Sequence, residues 1–234
     1  MSPSLERLQH QLVVSCQAEG ASPFNSPEGV ALFARAAVQG GAAGIRTEGV
    51  EKTRKIVASV DVPTIGLVKS QFPDGSVCIT GSFADVEALL TTGCDIIAVD
   101  GTLRAIARSP ANLEALDGPG FIRAIKQRCD CTVMADIDTS AAARACQAAG
   151  ADCLSTTLSG YTPDTRDRPA PDLELLENLA QTCHVPIFAE GRYNSPELAA
   201  AAIASGAWAV VVGTAITRPA TITSWFQQAI AAAP

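Results

Sequence analysis

Charge and aromatic rings are both scarce in these 234 residues: only 18% are Asp, Glu, Lys or Arg, 5% are aromatic, and there are just two histidines. With 47% hydrophobic residues the chain can bury a large core, and its length fits one barrel, so residues 1–234 are expected to form a single domain. The formal net charge of −7 excludes a broad nucleic-acid or anionic-membrane surface, because both need a basic field. A small anionic ligand stays open, since a few local donors decide that. Low-complexity tracts and linkers are absent, and the start "MSPSLERLQH" lacks the apolar stretch of a secretion signal. His10 and His184 are far apart, and one residue rather than two separates Cys129 from Cys131, so no zinc spacing exists and no metal is expected. The eight cysteines are scattered through apolar segments of a chain too large to need staples, which points to reduced thiols and a cytoplasmic protein.

One uncharged run, "LAAAAIASGAWAVVVGTAIT" from Leu198 to Thr217, is long enough to span a bilayer. It divides in the middle. The Ala-rich half ends at Gly206 as a helix does, while "WAVVVG" is β-branched, so a helix followed by a buried strand is expected.

Short apolar runs alternate with helical stretches along the whole chain. The expected strands are residues 12–16, 44–46, 64–68, 96–99, 132–135, 153–155, 187–189 and 209–212; the expected helices are 27–39, 50–59, 83–92, 119–128, 140–149, 172–182, 196–205 and 222–232. Three phrases, "TTGCDIIAVD", "AAGADCLST" and "ASGAWAVVVG", each set a helix-ending glycine before a strand, and Gly93, Gly150 and Gly206 recur at near-equal spacing. Eight apolar βα units call for a parallel sheet covered on its outside, and at this length for a (β/α)8 TIM barrel of the phosphate-binding type. A further short strand is expected at Val77–Thr80.

In such a barrel the C-terminal strand ends converge on one mouth. Here they carry Gln17, Arg46, Lys69, Asp100, Asp136, Thr156 with Thr157, Glu190, and Gly213 with Thr214. Strand ends meet water and are polar in any barrel; acids, a base and amide donors aimed at one centre are a more particular set. "GRYN" and "GTAITRP" follow the last two strands. Glycines there let backbone N–H groups approach a phosphate, so Gly191, Arg192, Gly213, Thr214 and Arg218 read as a phosphate clamp, the alternative being plain turns with solvated arginines. Lys69 closes the apolar "TIGLVK", where partial burial would favour a neutral amine able to act as a base or form an imine. The same position also suits an ordinary ion pair with Glu190 or Asp136.

The phrases "LVVSCQA", "GIRTEGVE", "PTIGLVK", "DIIAVDGT", "MADIDT", "TTLSGYT", "FAEGRYNSPE" and "GAWAVVVGTAITRP" resemble the N-acetylmannosamine-6-phosphate 2-epimerases from about Val13 to Pro219. The resemblance implies a cytoplasmic enzyme of sialic-acid catabolism that interconverts N-acetylmannosamine 6-phosphate and N-acetylglucosamine 6-phosphate without a cofactor. It also implies that Lys69 is the catalytic lysine and Glu190 its partner, that Gln17, Arg46 and Asp136 contact the sugar, and that Arg192, Gly213 and Arg218 contact the phosphate. Two stretches depart from the family pattern. Ser70 stands where a second basic residue often follows the lysine, which would leave tuning of Lys69 to burial or to Arg46, and "QAEGASPFNSPE" after the first strand is particular to this chain. A dimer through the Ala-rich outer helices is expected. The rival readings are an imine-forming barrel such as an aldolase, and a phosphosugar-binding protein without catalysis.

Overall fold

A computed structural model describes residues 1–109, 112–166 and 168–233. Eight parallel strands close into a barrel: β1 (Gln11–Ser15), β2 (Gly44–Glu48), β3 (Thr64–Leu67), β4 (Ile96–Asp100), β5 (Thr132–Asp136), β6 (Cys153–Ser155), β7 (Ile187–Glu190) and β8 (Ala209–Val212). Each neighbours its sequence neighbours, and β8 closes on β1 through pairs such as Val14 with Val212. The fold is therefore the expected (β/α)8 barrel, with every strand within two residues of its expected bounds.

Between the strands lie the expected helices, most of them begun by a side-chain cap. Ser26, Ser82, Asp117, Thr139, Asp172 and Ser195 each accept the amide hydrogen of the residue three places on, satisfying a donor that the first helical turn leaves free. The helices cover the outer faces of the strands, where Val86, Leu89, Phe121, Ile122, Leu176 and Leu179 are fully buried.

Inside the barrel, Val13, Ile65, Ile96, Met134, Cys153, Phe188 and Ala209 form a second apolar layer. A helix over Pro3–Arg7, absent from the sequence-based expectation, closes its lower end with Leu5 and Leu8, and Trp208 Nε1 donates to the Leu5 carbonyl at 2.9 Å. Gly44 permits this plug, since a Cβ there would stand 2.7 Å from Leu8 Cδ2.

Two hairpins leave the upper rim. The strand expected near Val77 is real: Val77–Ile79 pairs antiparallel with Lys69–Gln71, and Thr80 ties the hairpin back by donating to Ala98 O and accepting from Val68 N. Lys69 thus sits on the hairpin rather than at the end of β3. The second hairpin, Ile106–Ser109 with Asn112–Leu116, has no counterpart in the expectation.

The last helix differs from the rest. It spans Pro219–Ala231, beginning three residues before the expected start, and buries none of its residues, leaving Phe226 and Ile230 exposed. An apolar groove of about 470 Å³ lies beside β8 and the Ala-rich helix Pro196–Ala204, lined by Leu12, Ala199, Ile203, Val210, Val212 and Ile216. No helix among the described residues is long and apolar enough to cross a membrane; Leu198–Thr217 folds as helix, turn and β8.

Candidate active site

A cavity of about 470 Å³ opens at the C-terminal mouth of the barrel, within the range of small-molecule sites. Of the residues singled out from the sequence, Gln17, Arg46, Lys69, Thr157, Glu190, Gly191, Arg192, Gly213, Thr214 and Arg218 line it; Asp100, Asp136 and Thr156 do not.

Its floor is ionic. Arg46 projects from β2 across the barrel and donates to both oxygens of Asp136 on β5, at 2.5 and 3.1 Å, while its Nη1 stands 3.3 Å from Glu190 on β7. Arg46 and Asp136 are fully buried, and the Glu190 side chain is 14% exposed. Burial opposes the charge on Arg46, but Asp136 and Glu190 outweigh it and hold the guanidinium protonated more firmly than usual. Glu190 moves the other way. Burial raises its pKa, Arg46 pulls it down, Asp136 raises it again, and the result lies above the ordinary glutamate range. The hydrogen bonds agree with that direction, because the Thr157 hydroxyl lies 2.9 Å from both Asp136 and Glu190 and 2.7 Å from Ser155, yet carries one hydrogen. A proton on Glu190 would supply the missing donor and balance one cation against one anion.

Three expected mouth residues lie elsewhere. Asp100 is fully buried and accepts from Thr102 and Arg104. Asp136 lies beneath the cavity and meets it only through Arg46 and Thr157. Thr156 is turned into the wall, where its hydroxyl donates to Glu190 O and accepts from Glu190 N; the next residue, Thr157, faces the cavity. That swap follows from the 3-10 turn at Thr156–Leu158, which ends the strict alternation of β6.

Lys69 stands on the rim. Its side chain is 33% exposed, a partial burial, and its ammonium donates to Glu19 rather than to Glu190 or Asp136. Because the ring runs β1, β8, β7, β6, β5, β4, β3, β2, the strand before Lys69 and the strand ending in Glu190 are diametrically opposed. Both residues line the one cavity.

Around the phosphate clamp, Gly191 has φ +108 and Arg192 φ +64, a turn that only glycine adopts freely at the first position. The Arg192 guanidinium is directed at the loop after β6, donating to Ser159 O and Ala170 O at 2.9 Å each and lying 5.0 Å from the Tyr161 ring centre. Its clamp role would therefore rest on its backbone amide and remaining donors. Gly213 and Thr214 begin the short helix Thr214–Thr217, and Arg218 follows it with Nη2 3.7 Å from Glu19. Gln17 Nε2 donates to Ser15 Oγ at 3.0 Å. Glu19, Ser15, Tyr161, Tyr193 and Asn194 also line the cavity and were not anticipated. Tyr161 and Tyr193 lie inside recognised motifs, but Glu19 sits in the stretch particular to this chain, where no pattern pointed to it.

The sequence pattern of the NanE family, described as "Putative N-acetylmannosamine-6-phosphate epimerase", matches residues 30–232. The chain belongs to this family. A relative from Glaesserella parasuis serovar 5 named "Putative N-acetylmannosamine-6-phosphate 2-epimerase" is 45% identical over 97% of this chain and 93% of its own, and one of the same name from Clostridioides difficile is 41% identical over 97% and 98%. The solved structure of the N-acetylmannosamine-6-phosphate 2-epimerase from Clostridium perfringens superposes with a TM-score of 0.87 at 38% identity, covering 96% of this chain and 95% of that one.

Proposed function

We propose that this chain interconverts N-acetylmannosamine 6-phosphate and N-acetylglucosamine 6-phosphate by moving a proton at C2 between Lys69 and Glu190, as an enzyme of sialic-acid catabolism. The observation that carries the site assignment is that these groups line one cavity, one just after β3 and the other at the end of the diametrically opposed β7. The C2 hydrogen is acidic only in the open-chain sugar, where C1 is a carbonyl. Inversion then requires taking that proton from one face, leaving an enolate, and returning a proton to the other. A neutral Lys69 removes it in one direction while Glu190, whose raised pKa lets it hold a proton, donates to the opposite face. Afterwards the lysine is protonated and the glutamate ionised, the state that runs the reverse reaction. No electron transfer is involved, so acid–base groups suffice and no cofactor is required.

Arg46, fixed by Asp136, keeps Glu190 in place, and Gln17 is a donor for the sugar. Gly191, Arg192, Gly213, Thr214 and Arg218 would hold the phosphate, fixing the far end of the sugar so that C2 meets the catalytic pair. The eight free cysteines support a reducing, cytoplasmic setting. A homodimer is supported by two matching apolar surfaces: the exposed face of the last helix with Phe226 and Ile230, and the groove beside the Ala-rich helix. Barrel and site together make one domain.

Proton NMR in heavy water tests the reaction. Turnover of N-acetylmannosamine 6-phosphate should place deuterium at C2 of the product, and Lys69→Ala should lose about 10² to 10⁴ in rate. A sugar adduct trapped on Lys69 by borohydride would move the chain to imine chemistry, and undiminished turnover by Lys69→Ala would remove the lysine from the mechanism.

A further inference from the structure

The Lys69 ammonium is held by the carboxylate of Glu19, and the same Glu19 oxygen stands 3.7 Å from Arg218 Nη2. One side chain therefore links the proposed base to the proposed phosphate arginine. We propose that Glu19 is a specificity-determining latch: it keeps Lys69 paired while the site is empty, and the substrate phosphate, by taking Arg218, displaces it and frees the lysine for C2. This rests on the reading of Lys69 and Arg218 given above.

Three features support displacement. The latch is charged: burial works against ionisation of Glu19, but the hydrogen bond and charge of Lys69, with Arg218 and Lys52, outweigh it and hold the carboxyl below its ordinary range. Its side chain can swing. The backbone is held, since Lys52 donates to Ala18 O, Ser22 N to Glu19 O and Asn25 Nδ2 to Gly20 O, but the Glu19 side chain is 40% exposed and can turn toward solvent. The incoming group is the stronger competitor, since a phosphate monoester carries about −1.5 to −2 charges at pH 7 and three acceptor oxygens, against one charge on Glu19. Two anions cannot share Arg218 without repulsion, worth about fivefold in an equilibrium constant even at the dielectric of water. A sugar without phosphate brings nothing to displace Glu19, and Lys69 stays paired. The phosphate requirement would then reside in release of the base as well as in binding.

The test compares the parent, Glu19→Gln and Arg218→Ala, with circular dichroism to show that each is folded. Calorimetry measures binding of inorganic phosphate, and NMR measures turnover of N-acetylmannosamine with and without its 6-phosphate. Glu19→Gln should bind phosphate about fivefold more tightly, raise kcat on the free sugar with little change in KM, and narrow the preference for the phosphorylated sugar at least about fivefold. Unchanged or weaker phosphate binding, an unchanged preference, or an equal loss on both sugars would each overturn the latch. Arg218→Ala separates the two levels: if it binds phosphate as well as the parent, the clamp itself falls, whatever Glu19→Gln does.

Discussion

Arg46→Met removes the only cation from the floor of the cavity as described, and its consequences follow from the geometry around it. Asp136 is fully buried and Glu190 nearly so, and both lie within 3.3 Å of the guanidinium. Methionine keeps an unbranched stem and Arg46 Nη1 already lies 3.2 Å from Met134 Sδ, so the main loss is the charge that faces Asp136 and Glu190. Removing one partner from a buried ion pair typically costs about 3–5 kcal/mol. At this chain length a kilocalorie corresponds to about 2–4 °C, so the melting temperature should fall by about 6–20 °C. The loss has a pH signature. Without Arg46 nothing opposes burial and the Asp136 charge in raising the folded-state pKa of Glu190 further above the unfolded value. An acid with a raised folded-state pKa contributes no penalty below its unfolded pKa of about 4, and destabilises progressively as pH rises through the folded value. The gap between variant and parent should therefore be wider at pH 8 than at pH 5, and Asp136→Asn added to Arg46→Met should recover part of it. Thermal melts followed by circular dichroism at the two pH values read this directly. A variant melting within about 3 °C of the parent at both, or a gap that narrows toward pH 8, would refute the ionic floor as a structural element.

Glu190→Gln keeps the hydrogen bonds to Thr157 and Ser155 but cannot exchange a proton, so kcat should fall by about 10² or more while the 6-phosphate KM changes little; a change confined to KM would contradict its acid–base role. Arg218→Ala removes a charge-assisted contact worth about 1.5–3 kcal/mol and should raise KM for the phosphorylated sugar about 10- to 150-fold without a comparable effect on the free sugar, as initial rates on both will show. Phe226→Glu sets a charge on the exposed face of the last helix; analytical ultracentrifugation should find a dimer for the parent and a smaller species for the variant, and a monomeric parent would dispose of the dimer.

The alternation of apolar strands with helices, the recurring glycines at 93, 150 and 206 and the Ser, Thr and Asp caps are all local signals, readable because backbone hydrogen bonding and side-chain periodicity act over a few residues. They determined the barrel, and with it the mouth at which most of the candidate residues meet. What they could not determine is which side of a wall a side chain takes and which charge it pairs with. Thr156 and Thr157 are adjacent and chemically alike, and the 3-10 turn after β6 sends the first into the wall and the second into the cavity. Asp136 reads as another mouth residue until the barrel closes and Arg46 reaches across to bind it from above. Lys69 was legible as a charged group at the mouth, but its place on the rim comes from the hairpin that carries it off β3, and its partner Glu19 arrives from the loop after β1, far away in sequence. The N-terminal helix, too short to declare itself by periodicity, gained its place only because closing the barrel left an apolar lower end for Leu5 and Leu8 to fill. Ion pairing and plugging depend on distances between segments remote along the chain, and those exist only once the strands have closed into a ring.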